Sequence, residues 1–160
     1  MGTARGPREG RRLPGARALL FDRLVDERPH EDEEEEPARV LDRQALRRSV
    51  RTELERLLNT RCPLRAEELE GRERTTLEYG LPDLAHVYTR DAGGREEIAA
   101  AVKAAVEAYE PRLKRVRVTV EPSPEHEERR LYARIDALLV VGEVAEAVSF
   151  SRLALGPGRT

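Results

Sequence analysis

Apolar residues recur at spacings of three to five between residues 41 and 58, and charged residues fill the positions between them. This period places the apolar side chains on one face of a helix and the charged ones on the other. Pro37 suits a first helical position, and Asn59 tolerates the left-handed conformation that often follows a helix. We therefore predict a long helix from about Pro37 to about Asn59. Its apolar face comprises Leu41, Ala45, Leu46, Val50, Leu54, Leu57 and Leu58.

No single period runs through residues 64–92. A helical turn is possible in AEELEGRER, and Tyr79–Leu84 is predicted to be a turn that launches a short helix. The glycine pair Gly93–Gly94 marks a break in the chain. A second helix is predicted over roughly residues 94–109. Its apolar face comprises Ile98, Val102, Ala105, Val106 and Tyr109.

The last third of the chain alternates apolar and polar residues, which is the pattern of strands with one buried face. Three strands are predicted, joined by short polar connections that favour an antiparallel meander. Helices followed by strands indicate an α+β domain, with N-terminal helices packed on a C-terminal three-stranded antiparallel sheet. We place this single domain at residues 37–156. The inward residues include Val116, Val118, Val120, Leu131, Ala133, Ile135, Ala137, Leu139, Val148 and Phe150.

Residues 1–36 are predicted to form a largely disordered arm. The first 17 residues mix arginine with glycine and proline, and residues 26–36 contain eight acidic residues. Blocks of this kind repel themselves and bury no apolar surface. Between them, residues 19–25 form a short apolar island. We predict that this island docks on a partner through Leu20, Phe21 and Leu24.

Composition restricts the function classes. The formal net charge of −2 gives no overall case for nucleic acid or an anionic membrane as partner. Cys62 is the single cysteine, so it forms no internal disulfide, and we expect a buried or bystander thiol. The three histidines lack metal-ligand spacing, so neither a metal nor another cofactor is expected. The N-terminal residues lack the apolar core that a signal peptide needs, and no apolar run is long enough to span a membrane, so we expect a soluble, cytoplasmic protein.

Glu110-Pro111-Arg112-Leu113 stands between the second helix and the first strand of the sheet. Pro111 ends the helix because the residue before a proline is displaced from the helical region. Glu110 then lies at a helix C-terminus, where the macrodipole disfavours an anion, so this acid needs a partner. The partner is either an internal arginine, Arg112 or Arg115, or a group on another protein. The residues alone leave these two possibilities open.

Three segments resemble a known family when taken together: Leu57–Arg61 at a helix end, Tyr79–Asp83, and Tyr109–Leu113 before a strand. In this order they are similar to the phage-type baseplate wedge family. Residues 19–27, LLFDRLVDE, resemble the N-terminal stretch of its type VI secretion branch, the TssE subunits. The resemblance covers about residues 18–155. It does not extend to the acidic run or to the first 17 residues.

The resemblance implies a structural protein rather than an enzyme. Members of the family lie in the cytoplasmic baseplate of a contractile injection machine, docked at the inner membrane complex. They join the wedge core of TssF and TssG, and TssK through the wedge, to the first ring of the TssB/TssC sheath. The sheet is similar to the handshake fold of the sheath, in which neighbouring subunits exchange strands. The family motif maps onto Glu110, Pro111 and Arg112, with Leu113 following, as the contact with the wedge core.

Two other functions are considered. The family carries a lysozyme-related label, and a peptidoglycan hydrolase would use Glu110 as its acid, with Asp83 as a possible second carboxylate. Sugar clefts are commonly lined by aromatic rings, and this chain has two phenylalanines, four tyrosines and no tryptophan. A nucleic-acid adaptor would act through the arginines of the first 17 residues. We favour the structural role.

Overall fold

The computed structural model describes residues 12–17, 40–84, 92–122, 131–142 and 144–155. The chain divides into two compact units, Met1–Val50 and Arg51–Thr160. In chain order the elements are β1 (Arg12–Arg17), β2 (Val40–Asp42), α1 (Arg43–Asn59), α2 (Ala66–Leu69), a 3₁₀ turn (Thr76–Glu78), α3 (Ala92–Tyr109), β3 (Leu113–Pro122), β4 (Leu131–Val141) and β5 (Val144–Ala154). No helix among these residues is both long and apolar enough to cross a membrane.

In the first unit, β1 pairs antiparallel with β2. Asp42 ends this ladder and caps the next element, because its Oδ1 accepts a hydrogen bond of 2.7 Å from the backbone N–H of Ala45. The helix α1 therefore begins at Arg43 and not near Pro37, and the prediction that Leu41 belongs to its apolar face is wrong. The rest of that face is confirmed, since Leu46 and Val50 are buried. The domain boundaries at residues 36 and 156 stay predictions.

In the second unit, β3, β4 and β5 form an antiparallel sheet in that order. The prediction of helices followed by a three-stranded antiparallel meander is confirmed. The helix α3 packs against β3, and the buried residues of α1, α3 and the strands form the core. These core residues include Leu54, Leu57, Leu58, Ile98, Val102, Val106, Leu113, Val116, Ala133, Ile135, Leu139, Phe150 and Leu153.

Each edge strand contains a bulge at an arginine. The register shifts by one residue between Lys114 and Arg117 on β3, and Arg115 there has a φ of 54°. The same shift occurs on β5, where Arg152 has a φ of 58°. An extra residue reverses the faces of a strand, so Leu113 and Val116 are both buried although they are three positions apart. Strict alternation therefore fails on β3, and Val118 is only partly buried.

Two predictions for the middle of the chain need correction. The helix α2 lies in the predicted AEELEGRER segment, but α3 begins at Ala92, so Gly93 and Gly94 lie in its first turn and do not break the chain. Residues 82–84 are not helical, and residues 85–91, where the short helix was predicted, lie outside the described residues.

Gly80 lies directly against the chain that follows α1. Leu81 donates its N–H to the carbonyl of Thr60 (2.9 Å), and Cys62 donates to the carbonyl of Leu81 (2.7 Å), forming a short parallel bridge. A Cβ on Gly80 would lie 2.4 Å from the carbonyl oxygen of Thr60, and the φ of Gly80 is +112°. Both the contact and the backbone conformation therefore require glycine at this position.

Replacing Gly80 by alanine should destabilise the protein by on the order of 3 kcal/mol, because backbone atoms must move to admit the methyl group. Gly71→Ala is the matched control, since Gly71 also has a positive φ (+68°) but no atom lies within 4 Å of the position that a Cβ would occupy there. The control should cost only about 1 kcal/mol. Urea unfolding of both variants measures the difference. Equal losses would contradict the close approach to Thr60.

Candidate functional site

Residues 110–113 form a tight turn that carries the chain from α3 into β3. Glu110 donates its N–H to the carbonyl of Val106 (2.9 Å), which is the last bond of the helical ladder. Leu113 then donates to the carbonyl of Glu110 (3.0 Å), closing a four-residue turn with Pro111 at its second position, where proline is favoured. Arg112 accepts from the N–H of Val140 (2.8 Å) and so begins the pairing of β3 with β4. We call residues 109–113 the corner.

The two charges of the corner pair with each other. Glu110 Oε1 accepts from Arg112 Nε at 2.6 Å, and Oε2 accepts from Nη2 at 2.5 Å. The backbone N–H of Arg112 also donates to Oε1 (3.3 Å). The side chains are only 5% and 16% exposed, respectively. Of the two internal partners considered, Arg112 and not Arg115 satisfies the acid.

The ion pair with Arg112 compensates the unfavourable position of the Glu110 carboxylate at a helix C-terminus. A carboxylate at a helix C-terminus is disfavoured by the macrodipole, and burial adds a desolvation cost. The planar guanidinium offsets both, because it brings a positive charge and two parallel hydrogen bonds to the same carboxylate. The pair fixes the path of the backbone through Pro111, which is exposed, while Leu113 is buried in the core at 2% exposure.

A pair of tyrosines connects the corner to the loop before Gly80. The rings of Tyr79 and Tyr109 meet edge to face, with their centroids 5.1 Å apart. The hydroxyl of Tyr109 donates to the carbonyl of Thr75 (2.8 Å). Burial raises the pKa of both tyrosines above the usual value. Tyr109 is therefore not simply an apolar residue of α3, because both its ring and its hydroxyl contact the loop of residues 75–79.

The 3₁₀ turn is closed by a buried acid that the sequence analysis missed. Glu78 is only 4% exposed, and its Oε2 accepts from both the N–H and the hydroxyl of Thr75, at 2.8 and 2.6 Å. Arg72 approaches Oε1 at 3.3 Å. The hydrogen bonds from Thr75, with the charge of Arg72, hold the pKa of Glu78 below its ordinary value. The spacing Thr-x-x-Glu is a capping-box pattern and could have been recognised in the sequence.

The three motifs found in the sequence thus come together in space. The bridge at Gly80 joins the LLNTR and YGLPD segments, and an ion pair of 3.7 Å between Arg61 and Asp83 lies beside it. The contact between Tyr79 and Tyr109 joins YGLPD to the corner. Cys62, at the centre of the bridge, is a buried free thiol, as predicted. The motifs form one assembly around the corner.

Several of the residues singled out in the sequence cannot be placed relative to this assembly. Leu20, Phe21 and Leu24 of the docking segment lie outside the described residues, as do all three histidines. Within the described part of the chain, no group of three histidine, cysteine or acidic residues could hold a metal ion. Asp83 pairs with Arg61, and both oxygens of Glu110 are engaged by Arg112, so these two carboxylates do not form an open pair.

Comparison with known proteins identifies a family. A family model described as baseplate wedge protein gp25 matches residues 44–143, a range that contains all three motifs. A solved chain from "the baseplate complex from the type VI secretion system" is similar at 22% identity with a TM-score of 0.47, covering 70% of this chain and 95% of that chain. No curated protein matches.

The losses of stability from removing the two members of the corner pair should not be additive. Arg112→Ala leaves a buried carboxylate without its cation, which costs about 2–3 kcal/mol. When Arg112→Ala is combined with Glu110→Ala, the double variant should lose about 1–2 kcal/mol less stability than the sum of the two single losses. The control is the exposed pair Lys103 and Glu107, both 50% exposed, whose coupling should stay below about 0.5 kcal/mol. Urea unfolding measures all variants, and additive losses at the corner would refute the pairing.

Proposed function

The chain belongs to the baseplate wedge protein gp25 family, and we propose that it is the TssE-type subunit of a type VI secretion baseplate. It is a structural baseplate component, and we propose that it performs no catalysis. In this proposal it links the wedge core of TssF and TssG to the first TssB/TssC sheath ring and nucleates sheath assembly. The assignment to the type VI branch rests on the resemblance of residues 19–27 to that branch.

The observation that carries the proposal is the construction of the corner. An exposed Pro111 is held at the tip of a turn whose backbone is fixed by the helix, by β4 and by the internal ion pair. A preformed contact surface loses little entropy on binding. We propose that the wedge core binds Pro111 and the outer edge of Arg112. Glu110 orients Arg112, and Leu113 anchors the corner from within the core.

The sheath contact is proposed for the edges of the sheet. Among the described residues, the strands β3 and β5 each pair only with β4. Between Val144 and Phe150 the register of β5 with β4 is regular, so its free edge offers a continuous row of backbone donors and acceptors. Strands of TssB or TssC could add to such an edge through main-chain hydrogen bonds. The bulge at Arg152 limits the regular stretch at one end.

The remaining parts of the proposal follow the family role. TssK is contacted through the wedge, and the docking segment around Leu20, Phe21 and Leu24 binds another baseplate subunit. The protein acts in the cytoplasm, in a baseplate docked at the inner membrane complex, and needs no cofactor. No observation favours the peptidoglycan hydrolase, because a general acid must reach substrate and Glu110 is only 4% exposed.

A charge swap at the corner distinguishes two roles for the pair of Glu110 and Arg112: contact with a partner subunit, or internal stabilisation of the turn alone. The double variant Glu110→Arg with Arg112→Glu keeps an ion pair in the turn but reverses its direction. We expect it to remain folded and to lose co-purification with TssF and TssG, because a partner that recognises the guanidinium edge meets a carboxylate instead.

The matched control is the swap Lys103→Glu with Glu107→Lys on the exposed face of α3, which should co-purify like the unmodified chain. Thermal unfolding establishes that each swapped protein is folded. A folded corner swap that still binds TssF and TssG would leave the ion pair as internal support alone and would refute the proposed contact.

A further inference from the structure

Leu77 is the one large hydrophobic side chain that is exposed among the residues the structure describes, at 78%. A single exposed leucine is ordinary on a protein surface and does not by itself indicate a binding site. This leucine, however, lies at the centre of the Thr76–Glu78 turn, next to the corner. Its surroundings determine whether the exposure has a function.

The turn that presents Leu77 is held on both sides. Beneath it, Glu78 is buried and bonded twice to Thr75, whose hydroxyl also accepts from the N–H of Leu77 at 3.2 Å. Tyr79 donates its N–H to the carbonyl of Thr76 (3.4 Å), closing the turn. The backbone that carries Leu77 is therefore held in place, while the leucine side chain extends into solvent. A preordered backbone loses less conformational entropy on docking than a flexible loop would.

Arg74, three residues before Leu77, has a guanidinium nitrogen without an acceptor. Its Nη1 is buried and has no hydrogen-bond partner among the described residues. Most buried polar nitrogens in proteins are hydrogen-bonded, so an exception needs an explanation. A carboxylate supplied by another chain would draw this guanidinium outward and satisfy it.

The turn is continuous with the corner. The carbonyl of Thr75 binds the hydroxyl of Tyr109, the residue immediately before Glu110, and the ring of Tyr109 contacts Tyr79 on the other side of the turn. The positive charge of Arg74 also acts on Tyr109, where it opposes the effect of burial on the pKa of the hydroxyl. One partner surface could therefore cover both the corner and the turn.

We propose that the Thr75–Glu78 turn is a second docking element, in which Leu77 enters an apolar pocket of the subunit that binds the corner and Arg74 pairs with a carboxylate at the rim of that pocket. The inference rests on the proposed function, since it takes that partner to be the TssF–TssG wedge core. It adds a hydrophobic anchor to a contact that was otherwise made of proline and arginine. The turn and the corner then act as a two-point attachment.

The test measures binding of the full chain to purified TssF–TssG by calorimetry. Leu77→Asp should weaken binding on the order of tenfold or more, because a carboxylate would be placed in an apolar pocket. Leu77→Met, which keeps an apolar side chain of similar volume, should stay within about threefold of the unmodified chain. Arg74→Glu should also weaken binding on the order of tenfold and reduce its dependence on salt.

Because Leu77 is exposed, its variants should unfold at the same temperature as the unmodified chain; Leu77→Ala serves as a milder variant, expected to lose several-fold in affinity. If Leu77→Asp and Leu77→Ala bind as tightly as the unmodified chain while the corner swap does not, the second docking element is refuted and the proposed function stands. If the unmodified chain itself does not bind TssF–TssG, both fail.

Discussion

The bidentate pair between Glu110 and Arg112 is the interaction on which the rest of the second unit depends. It lies where a helix must become a strand, and it places a cation against a carboxylate that the helix dipole and burial would otherwise make unfavourable. With the charges matched inside the turn, the backbone of Arg112 can begin the sheet by accepting from Val140. The corner is thus both the start of the sheet and a turn held by the helix, by β4 and by its own ion pair.

The neighbouring motifs support this corner through a small number of directed contacts. Tyr109 connects it to Thr75 by a hydrogen bond and to Tyr79 by an edge-to-face ring contact, and Gly80 lets the same loop lie against the end of α1. Segments that are far apart in sequence therefore all make contacts that support the corner. This explains why the family can be recognised from short motifs, since each of them contributes a contact that holds the corner in place.

The sequence alone predicted the class of the fold, both long helices, the three strands and the end of the second helix before Pro111. Those features depend on hydrophobic period and on proline, which act locally. The predictions failed where a side chain makes a specific contact: Asp42 caps α1 six residues later than expected, and bulges at Arg115 and Arg152 shift the strand faces. Whether Glu110 meets Arg112 or another protein depends on geometry that spacing cannot supply.

Hydrogen exchange of the full chain, with and without TssF–TssG, tests the central claim most directly. A corner whose charges are already paired, and which serves as an interface, should be structured in the free chain and gain protection on binding in peptides covering residues 72–79 and 109–113. Peptides from the free edge of β5 should be unchanged, because the sheath and not the wedge core is assigned to that edge. No added protection in either segment, or protection confined to β5, would contradict the account.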